Sequence, residues 1–172
     1  MIRGLPNMLS KSDFSEEELG LYNPAFVGFL LLSCLREFVA IKPSGMHCAL
    51  AFLIVPMCLN RTISKNLPKT YKTPVGAWVA SKEGDLSGLA NQAEAFIPIV
   101  NMGLLFLLER RLIKINEAGC VVLGECKIAK SPALFNKSNY MSEALKAFRF
   151  MGKWFSHAPS TETIFAQLGI RP

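Results

Sequence analysis

The chain has 172 residues, enough for one domain with its own core or for one domain with a docked extension. Hydrophobic residues make up 51% and charged residues only 19%, and this surplus of apolar surface favours association with a partner. The five cysteines form no CxxC pair, so they indicate neither a disulfide framework nor a zinc site and predict a reduced, cytoplasmic chain.

Residues 1–21 are predicted to form a flexible N-terminal arm. They lack the apolar run of a signal peptide. They do carry an acidic stretch from Asp13 to Glu18, although the whole chain has a net charge of +6. We hypothesise that this stretch forms a short helix that closes on a basic surface of this chain or of a neighbour.

Helices are predicted for most of the next 90 residues. They span about residues 24–41, 46–59, 64–67, 74–82 and 85–111. Asn23-Pro24 suits a helix start, and Pro98 should kink or divide the longest helix. The apolar runs fall short of the roughly 20 residues of a membrane-spanning helix, so they are interpreted as buried helices and no membrane partner is predicted.

A β-hairpin is predicted after residue 111, where the apolar pattern changes period. Leu112–Ile115 and Cys120–Leu123 would be its strands, joined by a turn at Asn116–Gly119. Helices followed by a hairpin are the outline of a winged-helix domain. The predicted fold class is therefore mainly α with a small β-hairpin, as a winged-helix-like domain over residues 22–135.

The remaining residues, 136–172, are predicted to be a C-terminal helical docking segment. Its helices would run from Tyr140 to His157 and from about Ser160 to Leu168, with Gly169 in the position that often ends a helix. Apolar side chains continue almost to the last residue, so the segment would dock on its own body, on a partner or on a second copy. The candidate interface residues are Trp154, Phe155, Ile164, Phe165, Leu168 and Ile170.

The sequence shows none of the usual catalytic signatures. It has no GxxxxGK[ST] phosphate loop, no GxSxG elbow, no HExxH motif and no paired carboxylates in a polar setting. We expect no enzyme, no cofactor and no metal site in this chain.

Nucleic-acid binding is a separate question. In a winged helix that reads DNA, the helix before the hairpin lies in the major groove and presents polar side chains to the bases. Here that helix reads IPIVNMGLLFLLERR and is polar only at Asn101 before its end, which disfavours sequence-specific recognition. Two basic patches stay open, either as sequence-independent phosphate contacts or as solvated surface. They are Arg61, Lys65, Lys69 and Lys72 in the central polar loop, and Lys146, Arg149 and Lys153 on one face of a predicted helix.

Several short stretches, in this order, resemble the middle component of three-component ABC systems, a group that includes Lamassu-type anti-phage systems. They are LYNPAF, GMHCALAFLIVPMCL, SKNLP, TPVGAWV, LLERRLIKI and MGKWF…TIFAQLGIRP, between about Tyr22 and Pro172. The resemblance implies a kite-like or kleisin-like adaptor between a structural-maintenance-of-chromosomes-like (SMC-like) ATPase and an effector, often a nuclease. ATP and magnesium would then belong to the ATPase.

Three alternatives remain open from the residues themselves. The chain could be a free-standing winged-helix regulator that binds DNA through its basic patches. It could contact DNA, or a second copy of itself, only within the assembled complex. A small membrane protein is the third interpretation.

Overall fold

The structure, a computed structural model, describes residues 22–171, with the side chain of Glu83 left out. The predicted arm and its acidic helix lie outside the described residues. The described chain is mainly helical with a small antiparallel sheet. The helices are α1 (Pro24–Ile41), α2 (Ala51–Leu59), α3 (Arg61–Lys65), α4 (Val75–Ala80), α5 (Leu89–Glu109), α6 (Asn139–Ser156) and α7 (Thr161–Leu168). The strands are β1 (Met46–His47), β2 (Ile113–Ile115) and β3 (Cys120–Leu123).

Helix ends follow the capping signals in the sequence. The Asn23 side chain accepts a hydrogen bond from the Phe26 amide at 2.9 Å, and Pro24 occupies the first turn of α1. The Ser160 hydroxyl accepts from the Thr163 amide at 3.1 Å at the start of α7. Gly169 ends α7 in the left-handed conformation, with φ of 68°. The predicted boundaries of these two helices are confirmed to within a residue.

The sheet has the strand order β1-β3-β2, and both strand pairs are antiparallel. The predicted hairpin is confirmed as β2 and β3. The predicted helix over 46–59 is wrong at its start, because Met46 pairs with Val121 as part of β1. Gly45, with φ of 98°, packs against β3 and turns the chain onto the sheet. A strand of two residues is too short to show any period.

The longest helix also departs from its prediction. α5 runs unbroken from Leu89 to Glu109 with Pro98 inside it, so the predicted division does not occur. Buried residues on both sides of the proline, Phe96 and Val100, hold the two halves in one core. The predicted start near residue 85 is replaced by a 3₁₀ turn, Glu83–Leu86.

Helix α1 lies at the centre of the fold, packed against α5 and against α6. Its backbone approaches both neighbours closely at glycines. Gly28 faces Gly103 of α5, and a Cβ at Gly152 of α6 would overlap the Cys34 carbonyl oxygen of α1. Residues on both sides of position 135 therefore belong to one cluster of buried side chains.

Within residues 22–171, two helices are long and apolar enough to cross a membrane by length and composition alone. They are Pro24–Ile41, with a mean hydropathy of 1.8, and Gly84–Glu109, with 1.3. The sequence analysis underestimated the apolar length of both helices because it counted only uninterrupted apolar runs. The core helix of a soluble protein passes the same test, so this finding is weak evidence about membranes.

Candidate partner interface

The predicted C-terminal interface is folded onto the chain's own body. Trp154 is buried, and its indole Nε1 donates a hydrogen bond to the Thr73 carbonyl at 2.7 Å. Its ring meets Trp78 edge-on, with 5.2 Å between the ring centroids. α7 packs against α4. The segment thus docks in cis, which is one of the alternatives left open by the sequence.

The other members of that predicted set divide by burial. Phe155, Ile164 and Phe165 are buried in the same core, whereas Leu168 and Ile170 are partly buried against it. The four fully buried side chains cannot touch a partner while the described fold is intact. Exposed apolar side chains are therefore found mainly outside this segment.

The surplus is found on the outer face of α5 and the adjoining strand β2. Leu105 is 56% exposed, Met102 53% and Ile115 50%. Ile97 and Leu108 on α5 are exposed as well. We call these five residues the α5 face. Sequence analysis interpreted the apolar runs of this helix as buried and did not predict that one side of it stays uncovered.

A groove of about 370 Å³ runs between α5 and the sheet beside this face. Its walls are mainly aliphatic: Leu104, Leu105, Leu108, Ile113, Ile115 and Val121, with Cys48 and Asn101. β2 has a strand neighbour, β3, on one side only, so its other edge borders the open surface. Such a groove suits an apolar helix or strand of another chain.

The α5 face ends at a strained residue. Arg111 has φ of 56°, a left-handed conformation that favours glycine. The Leu112 amide donates to the Leu107 carbonyl at 2.9 Å and closes the helix end. Arg111 also lines a hollow with Leu108, Lys114 and Glu125. Strain of this kind is frequent at functional sites.

The two predicted basic patches partly meet in space. Lys65 and Lys146 line the same hollow between α3 and α6. The Arg61 guanidinium lies 5.5 Å from the centre of the Tyr140 ring at the start of α6. Lys69 and Lys72 are exposed on the intervening loop. The structure thus places four cations of the central loop and one of α6 along neighbouring elements.

Arg149 and Lys153 do not share the surroundings of Lys146. Arg149 donates to the Lys130 carbonyl at 2.6 Å and to the Ser131 hydroxyl at 3.1 Å. Lys153 forms an ion pair with Glu37 at 3.4 Å. Both cations contact other parts of the chain, whereas Lys146 lines the hollow with Lys65.

A pair of arginines that the sequence did not reveal anchors the loop before α6. Arg36 donates to the Ile128 carbonyl at 2.8 Å, next to the anchor that Arg149 provides. Burial, together with the charge of Arg149, lowers the pKa of Arg36. Long-range arginine–carbonyl pairs have no sequence period, so no local signal could have found them.

The cysteines and histidines form no reactive cluster in residues 22–171. Burial raises the pKa of the Cys34 and Cys58 thiols, which keeps them as protonated, inert core groups. Among the described residues, no group of three or more His, Cys, Asp or Glu side chains could hold a metal ion.

Comparison with known proteins gives one match. The family model described as "ABC-three component (ABC-3C) system Middle Component 3" matches residues 11–172, which is nearly the whole chain. No curated protein and no solved structure matches.

Proposed function

The chain belongs to this Middle Component 3 family, and we propose that it is an adaptor that holds partner subunits of its ABC-3C system together through the α5 face. Membership in a three-component system implies partner subunits. The observation that carries the proposal is the uncovered row of Met102, Leu105 and Ile115 beside an aliphatic groove. Monomeric proteins rarely leave such patches open.

The strand order supports a winged-helix body for this adaptor. A winged helix has the chain order helix, strand, two helices and two strands, and its central strand is the last one. Here β1 also follows the first helix, β2 and β3 follow α5, and β3 is the central strand, although four helices rather than two lie between β1 and β2. In DNA-reading relatives of that fold this helix carries polar side chains. Here it carries leucines, which favours a protein as its ligand.

We propose that the occupant of the groove is an amphipathic helix of a partner subunit. Helices dock in grooves by apolar side chains spaced three and four residues apart. The groove supplies aliphatic walls on both the α5 and the sheet side. The partners we propose are an SMC-like ATPase, which would bind ATP and magnesium, and an effector, which would carry the nuclease activity.

The same proposal covers the remaining properties of the chain. It would act as a non-catalytic subunit in the cytoplasm, within a bacterial defence complex of the Lamassu type. The buried, protonated Cys34 and Cys58 are compatible with a reducing compartment. A free-standing DNA-binding regulator is the second candidate, and the apolar outer face of α5 counts against it.

The test is copurification of the tagged full chain with the products of its neighbouring genes. Met102→Glu with Leu105→Glu should abolish or strongly reduce the copurifying complex, because two carboxylates would enter an aliphatic contact. The free energy of unfolding of the isolated variant should differ from that of the parent by no more than about 0.5 kcal/mol, since both positions are exposed.

A matched control is Leu134→Glu, which changes a side chain that is 57% exposed but lies outside the groove. This variant should assemble normally. Normal assembly of the α5 double variant would refute the α5 face as the interface. Loss of assembly in both variants would show a general effect of added charge instead.

A further inference from the structure

A second surface, distinct from the α5 face, lies along α6. Two hollows of about 360 and 290 Å³ follow each other between α6 and residues 64–75. On the α6 side they are lined by residues that share one side of the helix and its C-terminal cap, namely Glu143, Lys146, Ala147, Phe150, Trp154 and His157. We call this surface the basic furrow. From Glu143 to His157 it extends about 21 Å.

Positive charge is spread along the furrow. Lys65 and Lys146 line one hollow and Lys72 lines the other. Arg61 lies at the start of α6, over Tyr140. Among the residues that line the two hollows, Glu143 is the acidic one. Spaced cations over this length match a chain of phosphates better than a single anion.

Aromatic rings accompany the cations. Tyr71 is 38% exposed, and its ring centre lies 5.1 Å from that of His157. Tyr71 also lines the hollow that contains Lys72. Exposed rings next to cations are the usual platform on which unpaired bases stack.

The loop that carries these groups is held at both ends by tryptophans. The Trp78 indole donates to the Asn66 carbonyl at 2.8 Å, and the Trp154 indole donates to the Thr73 carbonyl at 2.7 Å. Lys69, Tyr71 and Lys72 lie between these anchors. A preorganised loop loses little conformational entropy when a ligand binds.

We propose that the basic furrow binds single-stranded nucleic acid, with backbone phosphates on Arg61, Lys65, Lys72 and Lys146 and a base stacked on Tyr71. Stacking on Tyr71 requires an unpaired base, which favours a single strand over a duplex. An acidic protein segment would satisfy the lysines but would leave the exposed ring unused. This inference does not depend on the α5 face or on the adaptor function.

The test measures fluorescence anisotropy of a labelled 20-nucleotide dT strand with the intact chain, at several salt concentrations. For three to five phosphate contacts, log K should fall with log salt at a slope of about −2 to −3.5. Lys65→Glu with Lys146→Glu should weaken binding at least about 10-fold. Tyr71→Ala should weaken it about 10-fold without changing the salt slope.

The control variant is Lys114→Glu with Lys127→Glu, which makes the same change in net charge on two exposed lysines outside the furrow. It should retain binding within about threefold. Equal losses in the two double variants would overturn the proposal by showing attraction to net charge alone. So would the absence of any binding by the parent chain at low salt.

Two competitors separate the remaining ligand classes. A duplex of the same length and a poly-glutamate peptide should both displace the labelled strand less effectively than unlabelled dT does. If poly-glutamate competes as well as dT, the furrow recognises acidic protein and the proposal fails. If the duplex competes as well and Tyr71→Ala has no effect, single-strand recognition fails.

Discussion

Two apolar regions of this chain differ in burial. The C-terminal segment around Trp154 is rich in aromatic residues and is buried against the chain's own body. The outer face of α5 is rich in leucine and methionine and stays exposed. Both regions had the composition of an interface. The difference shows that composition alone does not say which apolar surface a fold will cover.

The pattern around each helix explains the difference. On α6, buried residues such as Phe148 and Met151 occupy one side, while Glu143 and Lys146 lie exposed on another, so a single face needs cover. On α5, apolar residues occur all round the helix, and the core covers only the side of Phe96 and Val100. The uncovered side is the one that we propose for a partner.

The largest expected effect is a loss of stability in the buried C-terminal segment. Trp154→Ala should lower the free energy of unfolding by about 3–5 kcal/mol, because it empties a packed site and leaves the Thr73 carbonyl without its donor. Chemical denaturation followed by circular dichroism would measure this. Trp154→Phe keeps a ring and should lose clearly less. A loss under 1 kcal/mol for the alanine variant would mean that the C-terminal segment is only loosely docked.

The next effect concerns the close approach of α6 to α1. Gly152→Ala should destabilise the protein by about 1–3 kcal/mol, because its Cβ would overlap the Cys34 carbonyl oxygen and the two helices would have to separate. Thermal or denaturant unfolding measures the change. Gly84→Ala has no neighbour within 4 Å of the new Cβ and serves as the control. A neutral Gly152→Ala would contradict the described packing.

At the end of the exposed face, one substitution should stabilise. Arg111→Gly relieves a left-handed conformation at a non-glycine residue, with an expected gain of about 1 kcal/mol. The control Arg110→Gly lies at φ of −83° and should destabilise slightly. If Arg111→Gly also weakens assembly with partner subunits, its side chain belongs to the interface. Destabilisation by Arg111→Gly would show that its side-chain contacts outweigh the strain.

The smallest expected effect is the change in stability on substitution at the exposed α5 face. Leu105→Ser should change the free energy of unfolding by no more than about 0.5 kcal/mol, because the side chain lies mostly in water. Denaturant unfolding of the isolated chain provides the comparison with Trp154→Ala. A large loss would show that the α5 face is covered in the isolated protein and would weaken its assignment as an interface.

Local signals in the sequence predicted much of this fold. The Asn23-Pro24 start, the terminal Gly169 and the change of period after residue 111 located α1, the end of α7 and the hairpin. Strand β1 could not be predicted, because two residues show no period and the pairing partner lies more than 70 positions away. Pro98 does not divide α5, because packing on both sides of it outweighs the missing hydrogen bond.

The candidate sites were predicted less well. Basic residues of the furrow were visible in the sequence, but the separation of Arg149 and Lys153 from Lys146 depends on Lys130, Ser131 and Glu37. Whether the apolar C-terminal segment docks in cis could not be decided from the sequence, since burial is a property of the whole packed fold. An all-round apolar helix next to a short sheet was the one signal that pointed to the α5 face.

The edge-on pair of Trp78 and Trp154 has a spectroscopic consequence. These are the chain's two tryptophans, and their ring centres lie 5.2 Å apart. Indoles this close couple excitonically. The protein therefore carries an intrinsic circular-dichroism probe where α4, α6 and the loop between Asn66 and Thr73 meet. Undocking of the C-terminal segment would erase that couplet, whereas a partner bound on the α5 face would leave it unchanged.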